Sequence, residues 1–235
     1  MLKNKVIAIH QPNFFPWLGY FDKIVRSDIF IFLDDVQFVK SCGTWSNRVK
    51  FLINSESKWV TAPIKRNFKG TKNINNMEFI SHLNWRSKIL KTIKFNYKNH
   101  PFYNEAINLF EEIIMFENNN ISEFKFNIII TISELIGLDK SKFLKSSDFK
   151  INKNSNELLI ELVKKTNGDY YLSGGGDGTY LDKKLFDEAN LKIIKQDFAH
   201  PLYEQYKMST FQEGLSIFDS FFNIGFKATR ELLIN

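Results

Sequence analysis

Short apolar runs alternate with amphipathic stretches along the chain, and this alternation predicts an α/β fold. Val6–His10 is an apolar run that gives way to polar residues, and residues 28–35 form a second run that ends in two carboxylates. A strand without polar alternation is buried on both faces, as in a parallel sheet. Residues 18–26, between these runs, place their apolar side chains on one helical face. The order strand, helix, strand therefore predicts a βαβ unit.

The rest of the chain continues this alternation and completes one domain. Strands are predicted at residues 47–53, 58–64, 169–172 and 191–198. Helices are predicted at residues 80–99, 105–116, 122–136, 155–167, 179–189, 209–222 and 227–233. We therefore expect a single α/β domain over residues 1–235, with a mostly parallel open sheet and a helical insertion at about residues 80–137.

The composition excludes several classes of protein. Hydrophobic residues make up 43% of the chain and charged residues 25%, so global disorder is not expected. No apolar run approaches the roughly 20 residues that span a bilayer, so no integral membrane segment is expected. The N-terminal stretch lacks the pattern of a signal peptide, which favours a cytoplasmic location. One cysteine, Cys42, excludes an internal disulfide, and the four scattered histidines predict no metal site.

The net charge of +6 is distributed unevenly. Residues 1–100 hold 17 Lys and Arg against 6 Asp and Glu, whereas residues 101–235 hold 15 against 20. A basic half favours an anionic ligand. The alternative is a biased genome, because 27 Lys against 5 Arg is typical of AT-rich coding sequence. The basic residues lack dense clusters, so we expect a phosphorylated small molecule and no nucleic acid.

A first group of candidate residues follows the first predicted strand. Ligands of open α/β sheets bind beyond the carboxyl ends of strands, and two prolines constrain this loop. A histidine there is suited to proton transfer, and the aromatic faces can stack on a base or a sugar. The alternative is that the aromatic residues pack the end of the sheet, which we favour for Phe14, Phe15 and Phe21. The candidates are His10, Gln11, Asn13, Trp17 and Tyr20.

A second group follows the second predicted strand. Asp34 or Asp35 is suited to act as a general base, to hold Mg²⁺ or to bind sugar hydroxyls. A solvated acidic turn is the alternative. The candidate substrate-binding residues that follow are Gln37, Lys40, Trp45, Asn47 and Arg48, of which the two cations are suited to contact phosphate.

Two further groups follow predicted strands in the second half of the chain. Ser173, Gly174, Gly175 and Tyr180 belong to a glycine-rich segment between a strand and a helix, where backbone N–H groups can bind phosphate. A surface turn is the alternative. His200 follows the last strand, with a bend imposed by Pro201 as the alternative. Because the carboxyl ends of parallel strands meet at one edge, we expect these groups around one crevice.

The segments IHQPNFFPWLGYFDKI, SDIFIFLDDVQFVK, WSNRVK, YLSGGGDGTYLD and FAHPLYEQ resemble the WbqC-like protein family, in order and over nearly the whole chain. That family is known mainly from bacterial gene clusters for O-antigen and other surface polysaccharides. The resemblance implies a transferase of lipopolysaccharide biosynthesis that moves an acyl or aminoacyl group onto a nucleotide-linked amino sugar. His10 would be the general base, Asp34 or Asp35 would orient substrate, and His200 is a further catalytic candidate.

A second resemblance is to nucleotidylyltransferases and pantothenate synthetase, and it implies a nucleotidylyltransferase-like sheet. Trp17-Leu18-Gly19-Tyr20 occupies the place of the HxGH motif of those enzymes, but both histidines are replaced. The alternatives are therefore a degenerate nucleotidyltransferase or a non-catalytic scaffold subunit that binds a nucleotide sugar. The resemblances assign no cofactor. ATP and an acyl donor are both left as alternatives, and a homodimer is a further alternative.

Overall fold

The computed structural model describes residues 4–40, 45–175 and 181–234. Its strands are β1 Val6–His10, β2 Ile29–Phe32, β3 Arg48–Ile53, β4 Glu56–Thr61, β5 Phe143–Lys145, β6 Tyr170–Ser173 and β7 Lys192–Lys195. Its helices are α1 Leu18–Val25, α2 Trp85–Tyr97, α3 Tyr103–Met115, α4 Ile121–Leu135, α5 Ser155–Lys165, α6 Lys183–Glu188 and α7 Ile217–Ile234. Helix α7 is interrupted at Gly225, whose φ of 77° is not helical. Short 3₁₀ helices lie at Ile74–Asn76, Lys140–Lys142 and Ser146–Phe149.

Five of the described strands form one sheet in the order β5-β2-β1-β6-β7, and each neighbouring pair is parallel. The α/β class and the mostly parallel sheet are thus confirmed, while the likeness to nucleotidylyltransferases stays a prediction. The chain builds outward from β1 through β2 to β5, then returns to the other side of β1 for β6 and β7. This reversal makes a topological switch point between the carboxyl ends of β1 and β6, where open α/β sheets bind ligands. Strands β3 and β4 form a separate antiparallel hairpin.

Alternate residues of the central strands enter two different cores. Ala8, Phe30 and Phe32 join a large aromatic-rich core with α1, α7 and the middle helices. Ile7 and Ile9 join a smaller aliphatic core, which is covered by α5 and α6. Both faces of β1 and β2 are therefore buried, which explains why their sequence is continuously apolar.

The middle helices α2, α3 and α4 share the large core with the sheet. The ring of Phe110 on α3 lies 5.0 Å from that of Phe15, which follows β1, and 5.0 Å from that of Phe218 on α7. Phe14, Phe15 and Phe21 are all fully buried, so they pack the end of the sheet as expected. The bounds of an insertion at about residues 80–137 stay a prediction. Within the described residues, no helix is both long enough and apolar enough to cross a bilayer.

The predicted helix at residues 209–222 begins only at Ile217. The preceding backbone makes other hydrogen bonds: Gln212 N–H donates to Gln205 Oε1, and Ser216 N–H donates to the carbonyl of Lys50. Gly214 adopts a φ of 69°, which a helix does not allow. The prediction for this segment was wrong because amphipathic spacing does not reveal backbone groups that are already paired.

Candidate functional site

A cavity of about 450 Å³ opens at the carboxyl end of β1, beside β6. We call it the switch-point cavity. Its apolar wall comes from Ile9, Tyr171 and two leucines of α5, and its polar lining consists of His10, Gln11, Asn13, Lys23, Ser46 and Ser155. It therefore combines an apolar wall with convergent polar groups at the expected position of a ligand site.

His10 ends β1, and its ring is oriented by the loop that follows. Its Nδ1 lies 2.9 Å from the carbonyl oxygen of Gln11, which also accepts a hydrogen bond of 3.2 Å from the Tyr20 hydroxyl. A carbonyl oxygen only accepts, so Nδ1 carries a proton and Nε2 is the basic nitrogen of the neutral imidazole. The Tyr20 ring packs 4.9 Å from His10, and burial raises the pKa of Tyr20 well above its usual value. Tyr20 therefore orients His10 as a neutral phenol.

Lys23 of α1 brings a cation to the same cavity. Its side chain is buried, and Nζ donates to the carbonyl oxygen of Ile9 at 3.1 Å. The ammonium also lies 5.9 Å from the centre of the Tyr171 ring. Sequence reasoning missed this residue because one lysine among 27 gives no signal. The nearest indication in the sequence that Lys23 is buried is its place in a helix in which Leu18, Phe21 and Ile24 are also buried.

Ser46 is joined to a second buried lysine. Lys125 of α4 is fully buried, and its Nζ donates to Ser46 Oγ at 3.2 Å. Burial lowers the pKa of Lys125 to about 7, and the charge of Asp34 opposes this shift. A serine in the cavity wall is thus hydrogen-bonded to an amine that loses its proton near neutral pH. Sequence reasoning missed this pair as well.

Asp34 and Asp35 hold the end of β2 against the 3₁₀ helix Ser146–Phe149. The buried carboxylate of Asp34 accepts from the Ser147 hydroxyl at 2.9 Å, from the Ser147 N–H at 3.1 Å and from the Ser146 hydroxyl at 3.1 Å. Asp35 also accepts from the Ser146 hydroxyl. Among the described residues of the switch-point cavity wall, neither aspartate occurs. Their predicted roles as a base or a substrate ligand stay predictions.

The glycine-rich segment lines a different cavity, of about 460 Å³, at the carboxyl ends of β6 and β7. We call it the glycine-loop cavity. Ser173, Gly174 and Gly175 line it together with two cations, Lys183 and Lys195. Tyr180 and the rest of residues 176–180 lie outside the described residues. We predicted a single crevice. The two groups lie at the same edge of the sheet, but in separate cavities whose described linings have no residue in common.

His200 lies in a third, aromatic cavity of about 290 Å³. The Trp17 ring stacks on Trp45 at 6.3 Å and on His200 at 6.1 Å. Trp45 lines both this cavity and the switch-point cavity, so the two are adjacent. Burial lowers the pKa of His200, which keeps its ring neutral near neutral pH. The indole of Trp17 also lies over Gly19, where a side chain would collide with it, and this explains the glycine of the degenerate motif.

Gln37 and Lys40 are exposed beyond the end of β2. Gln37 forms an isolated bridge with Asn73, and Lys40 Nζ donates to the carbonyl oxygen of Phe68 at 2.8 Å. Neither residue belongs to the described lining of the three cavities. Their predicted contacts with substrate stay predictions.

Asn47 and Arg48 lie at the start of the β3–β4 hairpin. Asn47 Nδ2 donates to the carbonyl oxygen of Ala62 at 2.7 Å, which fixes the hairpin. The Arg48 guanidinium lies 4.2 Å from the centre of the Trp59 ring, a cation–π contact. Both are absent from the described linings of the three cavities. The phosphate contact predicted for Arg48 stays a prediction.

In residues 4–40, 45–175 and 181–234, no group of three His, Cys, Asp or Glu side chains is close enough to hold a metal ion. The titratable and nucleophilic groups that the structure brings to the switch-point cavity are His10, Lys23 and the Ser46–Lys125 pair.

Comparisons with known proteins relate most of the chain to one family. The chain is 28% identical over 227 residues to "Uncharacterized protein Rv1507c" of Mycobacterium tuberculosis, a match that covers 95% of this chain and 96% of the relative. Among solved structures, none matches the chain. The WbqC-like protein family matches residues 11–231. The chain therefore belongs to the WbqC-like protein family.

Proposed function

We propose that this protein is a transferase of surface-polysaccharide biosynthesis that moves an acyl or aminoacyl group onto the amine of a nucleotide-linked sugar. Membership of the WbqC-like family supports a role related to surface polysaccharides. The observation that carries the proposal is the switch-point cavity, where a histidine with a basic Nε2, a buried lysine and a serine paired to an amine converge.

The three cavities along the sheet edge match the parts of a nucleotide-linked sugar. The base stacks on the indole rings of Trp17 and Trp45, because aromatic faces bind any base through its π system. The pyrophosphate lies against Lys183 and Lys195 of the glycine-loop cavity, since ammonium groups pair with phosphate. The sugar amine enters the switch-point cavity, beside His10.

His10 supplies general base catalysis in this scheme. As the amine attacks the acyl carbonyl carbon, Nε2 of His10 takes a proton from nitrogen while Nδ1 keeps its hydrogen bond to Gln11. Lys23 lies in the same cavity and provides positive charge for the oxyanion that develops. The products are an amide on the sugar and the leaving group of the donor.

Calorimetry tests the ligand class. We expect UDP-, dTDP- or GDP-linked amino sugars to bind, with an affinity that falls as salt rises. Replacement of both Lys183 and Lys195 by Ala should weaken binding at least about 100-fold, because charged hydrogen bonds contribute about 1.5–3 kcal/mol each and 1.4 kcal/mol is tenfold. The matched control replaces the exposed Lys164 and Lys165 of α5, which changes net charge equally and should leave affinity unchanged. Uniform non-binding together with tight oligonucleotide binding would overturn the assignment.

A scaffold subunit is the alternative, and it has its own result. A nucleotide-linked sugar would bind at the sheet edge, yet no acyl donor would give product, and replacement of His10 would change nothing downstream. Product formation by the wild-type protein that is lost in His10→Ala excludes this alternative.

A further inference from the structure

The Ser46–Lys125 pair has the arrangement of a nucleophile and its base. Lys125 Nζ and Ser46 Oγ are 3.2 Å apart, within hydrogen-bond reach. Ser46 is 6% exposed and lines the switch-point cavity, whereas Lys125 is 0% exposed and lies behind it. A substrate in the cavity can therefore reach the serine, while the lysine is screened from water.

The surroundings of Lys125 stabilise the protonated form of its amine only weakly. Its sequence neighbours Phe124 and Phe126 are in the large apolar core. Of the charged groups described, Asp34 acts on it, and that carboxylate already accepts hydrogen bonds from Ser146 and Ser147.

Other elements also contact α4, and the charged side chains described there have other partners. Lys145 of β5 pairs with Glu123 at 2.7 Å and lies over the Phe126 ring. Arg86 of α2 lies over the Phe124 ring and donates to the carbonyl oxygen of Asn118. The 3₁₀ helix Ile74–Asn76 carries no ionisable side chain. In the 3₁₀ helix Lys140–Lys142, Lys142 Nζ donates to the carbonyl oxygens of Ile24 and Ser27, and Lys140 pairs with Glu134 at 3.6 Å. A buried ammonium with one hydroxyl partner, among the contacts that the structure describes, favours its neutral form.

We propose that Ser46 is the nucleophile of the transfer reaction and Lys125 its general base, so that the acyl group passes through an ester on Ser46 Oγ. The proposal rests on the proposed function for its acyl substrate. It replaces direct transfer with two displacements, and the donor class that suits it is an acyl thioester, whose thiolate leaves readily.

In the first displacement, Ser46 Oγ attacks the thioester carbonyl carbon while neutral Lys125 takes the hydroxyl proton. The tetrahedral intermediate collapses, the carbon–sulfur bond breaks, and the Lys125 ammonium returns the proton to the departing thiolate. The products are a free thiol and an ester on Ser46, and no oxidant or metal is consumed.

In the second displacement, the sugar amine attacks the Ser46 ester while Nε2 of His10 takes a proton from nitrogen. The carbon–oxygen bond to Ser46 breaks, and the serine oxygen takes up one proton from solvent, which balances the proton that His10 later releases. The sugar carries a new amide, and the proton on His10 returns to solvent. Each base therefore acts in one displacement. Lys125 activates the serine in the first, and His10 activates the incoming amine in the second.

A small alkyl fluorophosphonate tests the pair without knowledge of the substrate. This probe phosphonylates a serine that is activated by a base, and intact-mass measurement followed by peptide mapping locates the adduct. We expect one adduct, on Ser46, and none in Ser46→Ala. Ser81, an exposed serine outside the described cavity linings, is the matched control, and Ser81→Ala should be labelled at the wild-type rate.

The role of Lys125 is tested by the rate at which the probe labels Ser46 and by the pH dependence of that rate. Loss of a general base lowers rates by roughly 10²–10⁴-fold, so Lys125→Met should be labelled at least about 100-fold more slowly. The wild-type labelling rate should rise with pH through a midpoint near 7, and this rise should be absent in Lys125→Met. Thermal melting establishes that the variant is folded; if it is not, the wild-type pH profile and the Ser46 adduct decide.

The results separate this proposal from the proposed function. Absence of an adduct on Ser46, or a folded Lys125→Met labelled at the wild-type rate, overturns the pair even if nucleotide-linked sugars bind. Labelling of Ser46 that depends on Lys125, without binding of any nucleotide-linked sugar, upholds the pair and overturns the substrate class.

Discussion

Asp219 on α7 and Lys125 on α4 are both fully buried charged side chains, yet their surroundings differ. The Asp219 carboxylate accepts from Tyr97 and Tyr203 at 2.8 Å each, and from Gln205 at 3.1 Å. Burial raises the pKa of Asp219 to about 6, against these hydrogen bonds. Lys125 has a single described hydrogen bond, to a serine in a cavity wall.

The difference separates two uses of a buried charge. Several donors surround Asp219, and they tie α2 and the segment before α7 to that helix, so the carboxylate stabilises the fold. Lys125 lacks such a set of partners and faces a hydroxyl that a ligand can reach. A buried charge with few partners beside a cavity is costly for stability, which is typical of a functional group. Four substitutions test this contrast.

His10→Ala should reduce turnover by roughly 10²–10⁴-fold, because the reaction loses its base at the carboxyl end of β1. The melting temperature should change little, since His10 is half-buried at the rim of the cavity. His82→Ala, at an exposed position outside the cavities, is the control for the substitution itself. A His10 variant that unfolds would show that the ring supports the core instead.

Asp219→Ala should lower the free energy of unfolding by about 1–3 kcal/mol or more, because the hydroxyls of Tyr97 and Tyr203 lose their acceptor inside the core. Turnover per folded molecule should be retained. Urea unfolding at pH 7 measures the first quantity and an active-site titration the second. Unchanged stability would mean that the network does not tie these helices together.

Lys125→Met should leave stability at pH 7 unchanged or raise it by about 1–4 kcal/mol, because an apolar side chain of similar length avoids burial of a charge. The sign of the pH dependence follows from the pKa of about 7 in the fold, which is below the usual 10.5. Between these values the unfolded chain binds more protons, so the wild-type protein should gain stability as pH rises from 7 to 10. Urea midpoints across this range check it, and a wild-type curve parallel to that of Lys125→Met would contradict it.

His100 provides the smallest effect. Burial lowers its pKa to about 4 from 6.5, so the unfolded chain binds more protons in this window and stability should fall as pH falls from 6.5 to 4. The raised pKa of Asp219 acts in the opposite direction below pH 6, so the difference between wild type and His100→Phe is the quantity to measure. The free energy of unfolding of the wild type, minus that of His100→Phe, should become smaller as the pH falls from 6.5 to 4. A difference that does not change with pH would contradict the lowered pKa of His100.

The sequence predicted the fold better than the site, for physical reasons. Strand β1 agrees with the prediction in both bounds, because a buried strand in a parallel sheet carries its signal in consecutive residues. Strand β5 was missed, since three residues cannot display a period. His10 was a candidate because it is the last residue of a predicted strand. Lys125 and Ser46 are separated by 79 positions, and only the packing of α4 against the segment before β3 brings them together.

A crystal structure with a bound nucleotide-linked amino sugar tests the proposed site as a whole. We expect the base on the face of Trp17 or Trp45, the pyrophosphate within reach of Lys183 and Lys195, and the sugar amine within hydrogen-bond distance of Nε2 of His10. A nucleotide bound at the amino ends of the strands, or on the β3–β4 hairpin away from His10, would contradict the proposal that the ligand binds at the carboxyl ends of the strands.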